Sequence, residues 1–286
     1  MLAVVGTKGA PGASECAASL ALLASGRWPT LLVELDMLGA GLDVRIGADP
    51  HAGSIVGLVR AAATGEQPLA ELIERWVTRA QGWPPMLLAP ADLDEQLAEL
   101  ARPGAIASAL RALRTLMPLT VCDVGALLAT GDDLAAPARV HREALVTADA
   151  VLLVLGARET HLRPGLAQLD RLLDVLGIAR ERLRIAVNGI GGPGAGSERV
   201  LNETLTPRLA ERGLTVDAWL AWDDRALARA RSRGLPLAGA RSGGRYTSVL
   251  TRLLDELFLP VAPAPRARKH RLPAPTAQIK DPQEEV

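Results

Sequence analysis

Short unbroken apolar runs alternate with longer periodic ones along most of the chain. Leu2-Ala3-Val4-Val5 is the first short run and reads as a strand buried on both faces. Gly6-Thr7-Lys8-Gly9-Ala10-Pro11-Gly12-Ala13-Ser14 follows as a Gly-rich turn, and Glu15 to Ser25 as a helix of small and apolar residues. Thr30 to Leu35 predicts a second strand ending at Asp36, and a Gly-rich loop then runs from Leu38 to Gly47. Ser54 to Ala63 and Leu69 to Arg79 read as short helices, and Pro84-Pro85 breaks the chain before a brief strand at Met86 to Ala89. Further helices are expected over Ala105–Leu116, Asp132–Val146, Leu162–Leu176, Glu198–Arg212, Asp224–Ser232 and Tyr246–Leu257. Strands are expected at Leu119–Asp123, Ala150–Leu155, Leu183–Val187 with Asn188 after it, and Val216–Ala221. This alternation predicts one α/β domain over residues 1–259, a doubly wound and mostly parallel sheet of about seven or eight strands with helices on both faces.

The pattern changes at Pro260. Residues 260–286 hold Pro263, Pro265, Pro273, Pro275 and Pro282 and a basic knot of Arg266, Arg268, Lys269, His270 and Arg271. Such a segment buries too little apolar surface to offset its ordering entropy and reads as a disordered tail.

Composition narrows the function classes. The 286 residues are 49% hydrophobic with one Phe and one Tyr, so Ala, Leu and Val must fill the core. No apolar run approaches the roughly 20 residues of a transmembrane helix, and the N-terminus lacks the basic region of a signal peptide. A cytoplasmic protein is expected, without a transmembrane segment. Cys16 and Cys122 read as small buried hydrophobes, and His51, His141, His161 and His270 lack metal-site spacing and read as surface residues. The formal net charge of zero announces no general nucleic-acid surface. Arg225, Arg229, Arg231, Arg233, Arg241 and Arg245 nonetheless crowd one region, either as a solvated face or as a docking surface for an acidic partner or a membrane.

Strand, Gly-rich loop and helix is the arrangement in which backbone N–H groups and a helix N-terminus converge on phosphate. The first segment resembles the deviant P-loop of the MinD/ParA superfamily, Lys-Gly-Gly-x-Gly-Lys-Ser/Thr. Lys8, Gly9, Gly12 and Ser14 match it, Ala10 replaces a Gly, and Ala13 replaces the lysine that meets the β- and γ-phosphates. Glu34-Leu35-Asp36 with the later Leu42-Asp43 is similar to the family segment after its second strand, with Glu34 in place of the usual Asp. Val121-Cys122-Asp123 is similar to the Walker B strand, with Gly125 where the family often has Pro. Asn188 matches the adenine-reading Asn, and Leu220 to Asp224 with Gly234-Leu235-Pro236-Leu237 resembles the final strand and base-side helix.

The resemblance implies ATP and Mg²⁺ as ligands. Lys8, Gly9, Ala10, Pro11, Gly12, Ala13, Ser14 and Glu15 would surround the phosphates, Asn188 the adenine, and Ser14 with Asp123 the metal. Asp36 would orient the attacking water, and Lys8 would reach across a homodimer to the partner's nucleotide. Ala13 offers no ammonium and Pro11 no N–H, so weak or absent hydrolysis is expected while the amides of Gly9, Gly12, Ala13 and Ser14 remain for binding. Plainer readings stand beside these: a tight strand–helix turn for Gly6 to Gly12, solvated strand ends or helix caps for Asp36 and Asp123, and a turn residue for Asn188.

Within the superfamily, degenerate P-loops resemble the CpaE/TadZ branch. That implies a dimerising, spatial-organising protein with a protein partner at the cytoplasmic membrane face, for pilus, secretion or division machinery. Two alternatives are an active MinD-type or flagellar-number ATPase cycling at the membrane and a ParA-like partitioning protein on DNA, the DNA reading being disfavoured by the neutral charge.

Overall fold

The computed structural model describes residues 1–7, 12–37, 41–48, 54–64, 69–89, 98–126, 136–240 and 244–258. Seven strands form one sheet: β1 (Leu2–Gly6), β2 (Thr30–Glu34), β3 (Met86–Leu87), β4 (Leu119–Ala126), β5 (Ala150–Gly156), β6 (Leu183–Ile190) and β7 (Ala218–Ala221). Their order is β3-β2-β4-β1-β5-β6-β7, and every neighbouring pair is parallel. From β1 the chain moves outward to β2 and β3, returns with β4, and crosses to β5 on the other side. The switch point, where open α/β sheets bind ligands beyond the strand ends, is therefore the carboxyl end of β1.

Unbroken apolar runs suit these strands because successive side chains enter opposite cores. In β1, Leu2 and Val4 point into one core, and Ala3 and Val5 into the other. One core holds α1 (Ala13–Ser25), α9 (Asp224–Arg233), α10 (Leu237–Ala240) and α11 (Arg245–Phe258) against the sheet. The opposite core holds α3 (Ile55–Thr64), α4 (Leu69–Trp76), α5 (Ala105–Leu116), α6 (Ala136–Thr147), α7 (Glu159–Asp170) and α8 (Glu198–Ala210). Cys16, Ala17, Ala18, Leu20, Ala21 and Ala24 are buried on α1, so this helix lies close against the strands through mostly small side chains. No helix among the described residues is long and apolar enough to cross a membrane.

Several elements differ from the sequence expectation. The Leu38–Gly47 loop contains a short helix, α2 (Leu42–Ile46), which has no side-chain cap of its own. Its first amides are satisfied by a distant carboxylate, Glu34, invisible to local pattern. The helix expected from Leu162 begins at Glu159, and its last turn, Arg171–Val175, widens to π geometry. A four-residue helix, α10, follows Gly234-Leu235-Pro236, where the apolar pattern marks no separate helix. His141 is not a surface residue: it is 0% exposed, on the apolar stripe of α6 with Val140, Ala144 and Leu145. His161 is half-buried, seated against Gly156, where a Cβ would come within 2.1 Å of its Nδ1. Cys16 and Cys122 are buried free thiols, as expected. The tail, His51, His270 and Asp132 to Leu134 lie outside the described residues.

Candidate functional site

The sequence-predicted residues converge at the carboxyl edge around β1. Lys8, Gly9, Ala10 and Pro11 lie outside the described residues. Description resumes at Gly12, which caps α1 with φ +86°. Glycine is required there twice over: the dihedral is left-handed, and a Cβ would stand 2.3 Å from the Asn188 Nδ2. The Asn188 side chain thus lies directly against the start of α1. Ala13 is buried beside it, and Ser14 and Glu15 complete the first turn.

The Ser14 side chain faces the carboxylate of Asp123 and favours its charged form, and the Gly125 amide donates to Asp123 Oδ1 at 3.4 Å. Asp123 is 1% exposed, paired in register with Val4 of β1 and Glu34 of β2. Its carboxyl is raised to about 7: burial is the largest cause, Ser14 opposes it, and the charges of Asp36 and Glu34 add to it. Directly after Asp123 the β1–β4 register slips: Val4 faces Asp123 and Val5 faces Gly125. Gly125 has φ +68°, and a Cβ on it would lie 2.3 Å from the Asp36 Cγ. This bulge ends the regular pleat and lets the Asp36 carboxylate settle over bare backbone. A second slip, between Asn188 and Ile190 with Gly189 at φ +90°, interrupts the β6–β7 pairing just after Asn188, before Ile190 pairs with Ala221. Ser14, Asp36 and Asp123 are therefore brought together, and Asn188 meets them from the far side of α1.

Glu34 has another task. Its Oε1 accepts the N–H groups of Gly41 (3.0 Å) and Leu42 (3.1 Å), and its Oε2 accepts that of Ala89 (3.1 Å). Burial raises its pKa and these three donors lower it. One carboxylate thus fixes both α2 and the exit of β3. His141 packs beneath this edge, its ring nitrogens near the Leu35 and Ala126 carbonyls but hydrogen-bonded to neither, and burial holds its pKa below the usual value.

A cleft of about 680 Å³ opens between Gly12 and Glu15 on one side and Asn188, Trp222, Asp223 and Arg231 on the other. The Trp222 indole donates to Asp224 at 2.6 Å, and Asp223 caps α9 through the Ala226 amide. Glu15 also lines the cleft, but its carboxylate is engaged by Arg45 of α2 at 2.7 Å, the Ser19 hydroxyl and the Leu237 amide. Arg45, Arg158 and His161 also line it; no local motif marks the two arginines, and His161, expected on the surface, faces the cleft instead.

The donor set fits one Mg²⁺ held by the Ser14 hydroxyl and Asp123 carboxylate, since this ion keeps several waters and takes few protein ligands. Among the described residues no cluster of three or more His, Cys, Asp or Glu forms a cage. The cleft that Gly12, Asn188, Trp222 and Arg231 line fits a nucleotide in size and polarity.

No family model and no curated protein matches the sequence. Solved structures do. A ParA family ATPase from Chlorobium tepidum superposes with a TM-score of 0.68 at 17% identity, covering 88% of this chain and 97% of that one. The septum site-determining protein MinD of Pyrococcus horikoshii, complexed with Mg-ADP, gives 0.64 at 16% identity over 90% and 96%. A McdA variant from Cyanothece in complex with ATP gives 0.63 at 15% identity over 90% and 95%. At these identities the likeness speaks for the architecture, and the chain has the fold of the ParA- and MinD-type ATPases.

Proposed function

We propose that this chain is a MinD/ParA-like spatial-organising protein that binds an adenine nucleotide in a weakened P-loop site. The observation that carries the reading is the convergence of Ser14, Asp123 and Asp36 at the switch point, with Asn188 against the start of α1. The solved relatives that hold Mg-ADP and ATP support a nucleotide as occupant. Bound Mg²⁺ would supply charge neutralisation to the phosphates. Ser14 and Asp123 would hold that ion, Gly12 and the first turn of α1 would present amides, and Asp36 would orient a water. Ala13 leaves the phosphates without a side-chain cation from α1, so the chain retains binding and loses most turnover. The finer reading is of the CpaE/TadZ kind: a homodimer that needs little nucleotide cycling and presents a surface to a membrane-associated protein partner.

Calorimetric titration of Mg-ATP into the wild type and Ala13→Lys, with turnover measured on both, tests this. Weak binding with negligible turnover in the wild type, both rising in Ala13→Lys, is expected. Wild-type turnover equal to that of Ala13→Lys favours the cycling MinD-type ATPase and overturns the degenerate reading. The exposed Arg225, Arg229, Arg231 and Arg233 on α9 favour a second reading, a ParA-like DNA-associated protein. Retention on DNA that weakens steeply with salt supports it, and absence of retention at low salt removes it.

A further inference from the structure

Arg45 belongs to none of the motifs behind the functional reading, yet it stands where the cleft meets the first turn of α1. Its Nη2 lies 2.7 Å from Glu15 Oε2, and the same nitrogen donates to the Leu235 carbonyl. Its guanidinium sits 5.2 Å from the centre of the Trp83 ring, and the Trp83 indole donates to the Gly234 carbonyl at 2.7 Å. A Cβ on Gly234 would meet the Arg45 carbonyl at 2.7 Å, so α2 and the α9–α10 connection touch through backbone. Glu15 holds the other end, taking the Leu237 amide and the Ser19 hydroxyl on Oε1. The two side chains are mostly buried, at 24% and 18% exposure. One ion pair thus pins α1, α2, the loop before β3 and the α9–α10 connection together.

The position of Glu15 works against an anionic ligand. The first turn of a helix attracts anions through its free N–H groups and dipole, and the Glu15 carboxylate, which caps none of those groups, adds a negative charge to the cleft wall beside them. Arg45 cancels its charge, so the pair as a unit offers an incoming phosphate little net attraction. We infer that Glu15 and Arg45 form a latch at the anion end of the cleft: Glu15 competes with the ligand's phosphates for Arg45, and Arg45 is the cation handed to them when a ligand binds. This rests on the nucleotide reading above and deepens it. Glu15 becomes a specificity-determining residue alongside Ala13, and a lysine restored at 13 leaves the competing carboxylate in place.

The test uses the full chain as wild type, Glu15→Gln, Arg45→Gln and the double variant. Glutamine at 15 keeps an oxygen for the Ser19 and Leu237 donors, so this variant retains the fold. Mg-ATP and, separately, inorganic pyrophosphate are titrated by calorimetry, in the Ala13→Lys background as well as the natural one. Amide exchange across residues 41–48 and 234–240 is measured without ligand. Removing one unit charge a few ångströms from a phosphate predicts binding about tenfold tighter or more in Glu15→Gln. Arg45→Gln is expected to bind more weakly by a similar factor, and the double variant to return close to its parent. Exchange in both segments is expected to rise in Arg45→Gln while the sheet stays protected. Glu15→Gln binding no more tightly than its parent overturns the competition, and unchanged exchange in Arg45→Gln overturns the latch. Absence of Mg-ATP binding in every protein, Ala13→Lys included, overturns the nucleotide reading instead, and the exchange result then still decides whether the latch exists.

Discussion

Asp123→Asn should stabilise the ligand-free protein at neutral pH, although it removes the proposed metal ligand. Asp123 is 1% exposed in the middle of the sheet, and its carboxyl is raised from 3.8 to about 7, first by burial and then by the neighbouring Asp36 and Glu34 charges against the pull of Ser14. An acid raised in the folded state holds a proton that the unfolded chain has already released. Folding stability therefore falls as pH climbs from about 4 to about 7, by ~1.4 kcal/mol per pH unit and ~4 kcal/mol in all. Asparagine keeps an oxygen for the Ser14 hydroxyl and carries no charge, so it escapes this loss. Urea unfolding at fixed ionic strength from pH 5 to 8 reads the effect. The variant should exceed the wild type by a few kcal/mol at pH 8, with the gap closing toward acid pH. Glu34 and Asp217 are raised in the same sense and His141 lowered, but both proteins share them and the difference isolates Asp123. Saturating Mg-ATP should then favour the wild type, because a ligand stabilises only the state that binds it. Parallel profiles, or a variant less stable at pH 8, would refute the account of Asp123 as a buried acid strained by ionisation.

Four further outcomes follow from neighbouring residues. Glu34→Ala strips the acceptor from the Gly41, Leu42 and Ala89 amides, and at ~1–3 kcal/mol per orphaned donor it should cost at least ~3 kcal/mol in unfolding free energy, with faster exchange at those amides. Gly125→Ala forces a methyl within 2.3 Å of the Asp36 Cγ at φ +68°, and thermal melts should show a loss of ~2 kcal/mol or more. His141→Leu replaces a fully buried imidazole whose lowered pKa costs stability as pH falls below about 6.5, so the variant should gain on the wild type at pH 5.5 more than at pH 8 in paired urea melts. Ala13→Lys places a cation one residue from Ser14, which faces Asp123, and should draw the Asp123 carboxyl back down, flattening the wild-type pH profile much as Asp123→Asn does.

The parts of the site that the sequence displayed are those the sheet itself positions. Asp36, Asp123 and Asn188 are polar residues at the ends of apolar runs, and in a parallel sheet that alone sends them to one edge. Even the bulges leave a trace, in the glycines that follow Asp123 and Asn188 closely. The rest depends on partners that no local pattern marks, some of them far along the chain. The amides that begin α2 are taken by Glu34, so no capping residue marks its start. Arg45 is fixed by Glu15 thirty residues earlier and by Leu235 at a separation of 190. His141 is a different failure: its place on the buried face of α6 was visible in the spacing of Val140, Ala144 and Leu145, and residue type outweighed position. Glu34 and Arg45 share a property that bears on function: one couples a strand-end acid, the other the start of α1, to a short helix or connection rather than to the sheet. With alanine at position 13, such couplings determine how far the cleft can respond to a ligand at all, which is why Glu34 and Arg45 are the positions where substitutions should separate a responsive pocket from an inert one.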